Sequence, residues 1–289
     1  MTFRLRSGTA VDKAAIAAFT QDTFEWGDYV TREFDNWIAD SAGTVVVAVD
    51  EADTAIAVAT ATLLSPYELW LHGVRVDPAW RRQGVASQML EYLTGAGRKR
   101  GATVARLAVD DWNEPGIAQV TSIGMRHTSD WMATTREVVA TAPVTKTNGG
   151  RRRPPADRLN RAASAEAHAA YVAWTSGELG RAARNMLAIG WRWRRLNVQD
   201  LVKAAMADAL WMSPAGWVLA GVDDDTLEIG WLETTPDLAF ELTKSAIDLA
   251  SELGTSRIEI KVPAVSWLHT GLDALGFDVG RFRLFELPL

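Results

Sequence analysis

Residues 69–98 constrain the fold more than any other stretch. Leu69-Trp70-Leu71-His72-Gly73-Val74-Arg75-Val76 reads as a buried strand, and Pro78 ends it because proline has no N–H to donate. Arg81-Arg82-Gln83-Gly84-Val85-Ala86 then opens a helix whose apolar stripe is Val85, Met89, Leu90 and Leu93. Gly84 lets the backbone bend and come close to a ligand. A glycine turn that feeds a helix start presents amides without intrahelical acceptors, backed by the positive end of the helix dipole. Arg81, Arg82 and Arg98 add positive charge. Such a cradle fits an anion the size of a diphosphate.

The rest of the composition narrows the class. A chain of 289 residues with 48% hydrophobic and 23% charged side chains buries real cores and has room for two domains. Thirty-six acidic against 30 basic side chains leave a net charge of −6, which argues against a nucleic-acid partner and for a cationic or amine substrate. There is no cysteine, so disulfides, thiolate metal sites and a cysteine nucleophile are excluded together, and no metal is expected. The opening residues Met1 to Arg6 carry no long apolar run, and the expectation is a cytoplasmic protein without a membrane segment.

Taken in order, Phe3 to Arg6 reads as a strand and Val11 to Phe19 as a helix; Thr23 to Val30 mixes aromatics, acids and glycine in a substrate-side loop. Thr44 to Val49 and Ala55 to Leu64 form a hairpin across a polar turn and lead into the Leu69 strand. After the Val85 helix come a strand at Thr103 to Val109, a helix following Asn113, and a strand from Thr128 to Val138.

With those elements placed, Val74-x-Val76-x-Pro78 followed by Arg81-x-x-Gly84-x-Ala86 resembles the acetyl-CoA signature of the GNAT superfamily of N-acetyltransferases, and the element order matches that fold. The resemblance implies acetyl-CoA as co-substrate. Val74, Arg75 and Val76 would follow its pantetheine arm, Arg81, Arg82, Gln83, Gly84, Val85, Ala86 and Ser87 would wrap its pyrophosphate, and Asn113 would join the same set. One departure stands out. Family members often carry a tyrosine after Asn-x-x-Ala that protonates the departing thiolate, and this chain has Val120 there, which leaves water or another residue such as Tyr29 for that task.

An amine acceptor must lose a proton before it attacks, so a base near neutral pKa is needed. Strand alternation puts Glu68, Trp70, His72, Val74 and Val76 on one face. His72 is the first candidate, with an unperturbed pKa of about 6.5, and Glu68 the second. The segments Gly27-Asp28-Tyr29, Gly73-Val74-Arg75-Val76-x-Pro and Arg106-Leu107-x-x-Asp110-Asp111 are similar to a group that includes histidine N-acetyltransferases. There, as aligned, a Glu stands where this chain has His72. Glu25, Asp28, Tyr29, Asp110 and Asp111 are the candidate substrate-binding residues; the plainer reading of the aspartates is ordinary turn and capping carboxylates.

Lys146 to Pro155 is a polar linker rich in Gly, Pro and Arg. Beyond it, Gly254 to Val262 parallels Gly101 to Val109, and Ala274-Leu275-Gly276-Phe277 parallels Ser122-Ile123-Gly124-Met125. The second copy has no glycine loop: Pro236-Asp237 runs into a helix with Glu241 near its start. The reading is an α/β (α+β) chain of two tandem GNAT-like domains, each a mixed sheet flanked by helices. Residues 1–143 are the catalytic domain, 144–156 the linker, and 157–289 a degenerate copy without the CoA loop. The expected partner is a small-molecule amine met by a monomer or homodimer. A protein lysine or N-terminal acetyltransferase and a catalytically weak acyl-CoA-binding regulator are the alternatives.

Overall fold

A computed structural model describes residues 2–21, 23, 27–138 and 158–289. Glu25 and the linker at 144–156 lie outside the described residues. The chain divides into two compact units: one holds Met1–Val109, Asn113–His127 and Phe285–Leu289, the other Asp110–Trp112 and Thr128–Leu284.

The first unit runs β1 (Arg4–Ser7), α1 (Lys13–Thr20), α2 (Val30–Ala39), β2 (Gly43–Val49), β3 (Ala55–Ser65), β4 (Glu68–Val76), α3 (Val85–Lys99), β5 (Val104–Asp110) and α4 (Glu114–Ser122). Strands β1 to β4 pair antiparallel in chain order, and β4 pairs parallel with β5, giving a mixed sheet. Apolar residues on both faces of its strands require cover on both sides. In β2, Val45, Val47 and Val49 enter a core with Ile16, Val30, Phe34 and Trp37 of α1 and α2. Val46 and Ala48 point the other way, into a core with Val85, Met89, Leu90 and Leu93 of α3.

Two irregularities shape β4. Val58 pairs with Arg75 and Thr60 with His72, so Gly73 and Val74 together oppose the single residue Ala59, which is a β-bulge. Gly73 takes φ +66°, a conformation glycine adopts without steric cost. The bulge overturns the alternation read from the sequence. Val74 and Val76 pack in the α3-side core beside Leu69 and Leu71, whereas the His72 ring lies on the α2 side, edge-on to Trp37. The second irregularity is the pairing with β5, which covers only Glu68 to Trp70 against Val104 to Arg106 before the strands part.

The second unit contains most of β6 (Arg126–Glu137), then β7 (Asn160–Arg161), α5 (Glu166–Ser176), α6 (Glu178–Ala182), the hairpin β8 (Met186–Ile189) and β9 (Arg192–Arg195), α7 (Val198–Met206), β10 (Leu210–Ser213), β11 (Gly216–Asp223), β12 (Thr226–Glu233), α8 (Ala239–Leu253), β13 (Arg257–Pro263), α9 (Ser266–Ala274) and the part of β14 (Asp278–Pro288) up to Leu284. Its sheet follows the order β6-β13-β12-β11-β10-β7, with β12 and β13 parallel and the other pairs antiparallel. The parallel pairing ends at Ile229 with Ile260. A register shift against β11 then inserts Gly230 as an extra residue, so this unit also has a parallel pair that parts beside a glycine bulge.

Two helix starts are built alike. Arg6 makes a bidentate pair with Asp12 (2.7 and 2.8 Å), and Asp12 accepts from the Thr9 amide at 2.8 Å. Arg194 makes the same pair with Asp200 (2.7 and 2.8 Å), and Asp200 accepts from the Asn197 amide at 2.8 Å. Among the described residues, no helix is long and apolar enough to cross a membrane, and no group of three or more His, Asp or Glu could hold a metal ion.

Candidate active site

The turn after β4 is set by its capping residues. The Asp77 carboxylate accepts from the Ala79 amide at 2.8 Å, and Pro78 to Trp80 make one tight 3-10 turn. Arg82 (φ +61°) and Gly84 (φ +80°) are both left-handed, and α3 starts at Val85. The first-turn amides of Val85, Ala86 and Ser87 precede any intrahelical acceptor. A Cβ built on Gly84 would meet nothing within 4 Å, and Arg81 to Gly84 are exposed. The loop therefore offers open backbone donors and the guanidiniums of Arg81 and Arg82, a donor set suited to a diphosphate. Beside it, a shallow open cavity of about 270 Å³ is lined by Ala18, Phe19, Thr23, Asp77, Pro78 and Arg81.

Upstream, the bulge gathers a second group. Trp37 is buried against Gly73, where a Cβ would fall 2.5 Å from its ring. The ring is edge-on to His72 at 5.2 Å and to Tyr29 at 6.0 Å between centroids. Arg75 holds Asp28 through Nε (2.6 Å) and Nη2 (3.2 Å), with the Asp28 side chain only 1% exposed. The same guanidinium stands 5.5 Å over the Tyr29 ring. Burial pushes the Tyr29 hydroxyl above the usual phenol range, although the Arg75 charge and the Gly73 amide favour its ionised form.

The remaining candidates have other partners. Glu68 accepts from Arg106 Nη1 at 2.5 Å, and Glu286 accepts from Arg106 Nε at 2.8 Å, all within the first unit. Asn113 caps α4 by accepting from the Gly116 amide at 3.0 Å. Val120 is buried in the α3-side core. Asp110 and Asp111 fall in the second unit, where the Asp111 amide donates to the Arg281 carbonyl at 3.1 Å. The structure thus brings His72, Tyr29, Asp28 and Arg75 together around Trp37, a residue the sequence reading did not single out. Its one signal was the isolated Gly73 inside a strand, which marks a bulge or a close approach.

Residues 12–124 match the model of the Acetyltransferase (GNAT) family. The match takes in β4, the Gly84 turn and α3, and covers less than half of the chain. That family uses acetyl-CoA. Solved structures carry the fold likeness over nearly the whole chain. A GCN5-related N-acetyltransferase from Sphaerobacter thermophilus is 14% identical at a TM-score of 0.67, covering 99% of this chain and 95% of that one. Another from Kribbella flavida is 13% identical at a TM-score of 0.50, covering 100% of this chain and 71% of that one. A glucosamine N-acetyltransferase region of a fungal multi-domain β-N-acetylglucosaminidase is 12% identical at a TM-score of 0.65, covering 99% of this chain and 38% of that one. Comparison with curated protein sequences finds no match. In the matched segment the bulged strand and the glycine loop are contiguous, with Val76 ending the one and Gly84 lying eight residues on in the other.

Proposed function

We propose that the enzyme transfers the acetyl group of acetyl-CoA to the primary amine of a small molecule, a free amino acid or an amino-bearing metabolite or antibiotic, by direct attack. The observation that carries this reading is the parting of β4 from β5 beyond Trp70, followed by the Gly73 bulge and then the open Gly84 turn. Acetyl-CoA supplies the activated thioester. The amides and arginines of Arg81 to Ser87 hold its diphosphate, and the backbone of Val74 to Val76 follows its pantetheine arm. His72 takes the proton from the attacking amine, directly or through water. A β4 backbone N–H beside the bulge donates to the developing oxyanion. Tyr29, which burial keeps in its protonated form, gives a proton to the departing sulfur in place of the tyrosine that Val120 replaces. Glu68, bound to Arg106, ties β4 to β5 and leaves the base role to His72.

The second unit is read as a GNAT-like copy that takes no CoA. Its repeated Arg-Asp helix start and its bulge at Gly230 support a second copy. The absence of a glycine loop before α8, with Glu241 in the first turn, supports the loss of diphosphate binding. At Gly230 a Cβ would fall 2.1 Å from the Ala188 carbonyl oxygen, so strand β8 occupies the space beside that bulge.

The test is release of CoA thiol from acetyl-CoA against free amino acids, polyamines, aminoglycosides and lysine peptides. Saturable release with one small amine, reduced about a hundredfold or more in His72→Ala, is the expected result. Tight acetyl-CoA binding without release across the panel would overturn it. Gly84→Asp places a side chain and a negative charge in the cradle, and unchanged acetyl-CoA affinity by isothermal titration would remove the loop assignment.

A further inference from the structure

The buried pair Asp28–Arg75 lies outside the roles that the loop and His72 fill. Both carboxylate oxygens of Asp28 are engaged by Arg75, and Asp28 Oδ1 also accepts from the Val30 amide at 3.1 Å, where α2 begins. Arg75 Nη1 donates to the Val74 carbonyl at 3.0 Å. The guanidinium is thereby fixed on the bulged strand at one end and on the loop before α2 at the other. Tyr29 follows Asp28 in that loop, packs beneath the guanidinium, and has the Gly73 amide at its hydroxyl. A pair so closely held costs desolvation, and a surface salt bridge would return little for it. Its geometry is explained by what it holds.

We propose that Asp28 and Arg75 are positioning residues that clamp Tyr29 against the bulge and offset the charge it acquires when it acts as proton donor. The inference rests on the proposed acid role of Tyr29. In that step the thioester C–S bond breaks with its electron pair on sulfur, the Tyr29 O–H bond breaks, and an S–H bond forms. The phenolate left behind faces the Arg75 cation. A proton returns to it through solvent, matching the one His72 took from the amine. The charged groups acting on the phenol are Arg75 from β4 and Asp28 from its own loop, with His72 across the Trp37 ring.

The chain has four tyrosines, so ring-labelled 13C NMR resolves each phenol, and Tyr29→Phe assigns the one that disappears. Arg75→Gln is expected to raise the Tyr29 ionisation midpoint by about one pH unit, Asp28→Asn to lower it, and Arg75→Lys to restore part of the wild-type value. The double variant Asp28→Asn/Arg75→Gln removes both charges at once and so leaves no unpaired buried ion. It is expected to lose about tenfold in kcat for CoA release, measured with the fastest amine of the panel. Tyr29 midpoints that stay fixed in both single variants would overturn the proposal. So would a double variant with wild-type kcat while Tyr29→Phe is slow, and in that case the acid role of Tyr29 would stand. A Tyr29→Phe enzyme with wild-type kcat would instead remove the acid reading itself and the clamp with it.

Discussion

At Gly73 a missing side chain decides how a strand, a helix and the Trp37 ring meet. A methyl group there would fall 2.5 Å from the Trp37 ring on a backbone at φ +66°. Gly73→Ala therefore forces both strain and overpacking, and we expect a loss of about 2–4 kcal/mol in urea unfolding. Trp37→Leu in the same background should recover part of it by making room. A second residue, Glu233, sits at the end of β12 with only 6% exposure, and its Oε2 has no hydrogen-bond partner among the described residues. Burial pushes its carboxyl up to about 7 from an ordinary 4.5. The folded state then binds a proton more tightly than the unfolded one. Its contribution is fully present below pH 4.5 and is lost as pH rises to about 7. The difference between wild type and Glu233→Gln in unfolding free energy should fall by about 1–3 kcal/mol across that window, and a flat difference would contradict the assignment.

At the scale of elements, β4 and β5 are joined at one end and parted at the other, and Arg106 marks the join. It is 2% exposed and sits between Glu68 and Glu286. Breaking a buried ion pair by removing one partner strands the others, so Arg106→Ala should cost about 3–5 kcal/mol, whereas an apolar replacement of the whole triad should cost far less. Equilibrium unfolding of the single and triple variants makes the comparison. Element identity was largely legible: the valine runs of β2 and the Val85, Met89, Leu90, Leu93 stripe of α3 carry the two periodicities plainly. The bulge was less so, because one inserted residue reverses every side chain beyond it, and alternation alone placed Val74 and His72 on the same face.

At the scale of the whole molecule, the last five residues belong to the first unit although the chain reaches them through the second. Phe285 is buried in the α3-side core, Glu286 binds Arg106, and the Leu289 amide donates to the Thr103 carbonyl at 2.8 Å. Deleting residues 285–289 should therefore loosen β5 rather than merely trim an end. Burying one Phe is worth about 3–5 kcal/mol, and amide hydrogen exchange at Val104 to Val109 should accelerate by at least a hundredfold. Unchanged protection there would refute the point. The sequence by itself determined the elements and the glycine turn, because local periodicity, a proline stop and a glycine act through neighbouring residues. Only the tertiary structure decided that Arg75 holds Asp28, that Glu68 is bound to Arg106, and that Glu286 completes that triad from 180 residues away. Those pairings follow from which strands lie side by side and where one of them bulges, and no short-range pattern in the chain records either.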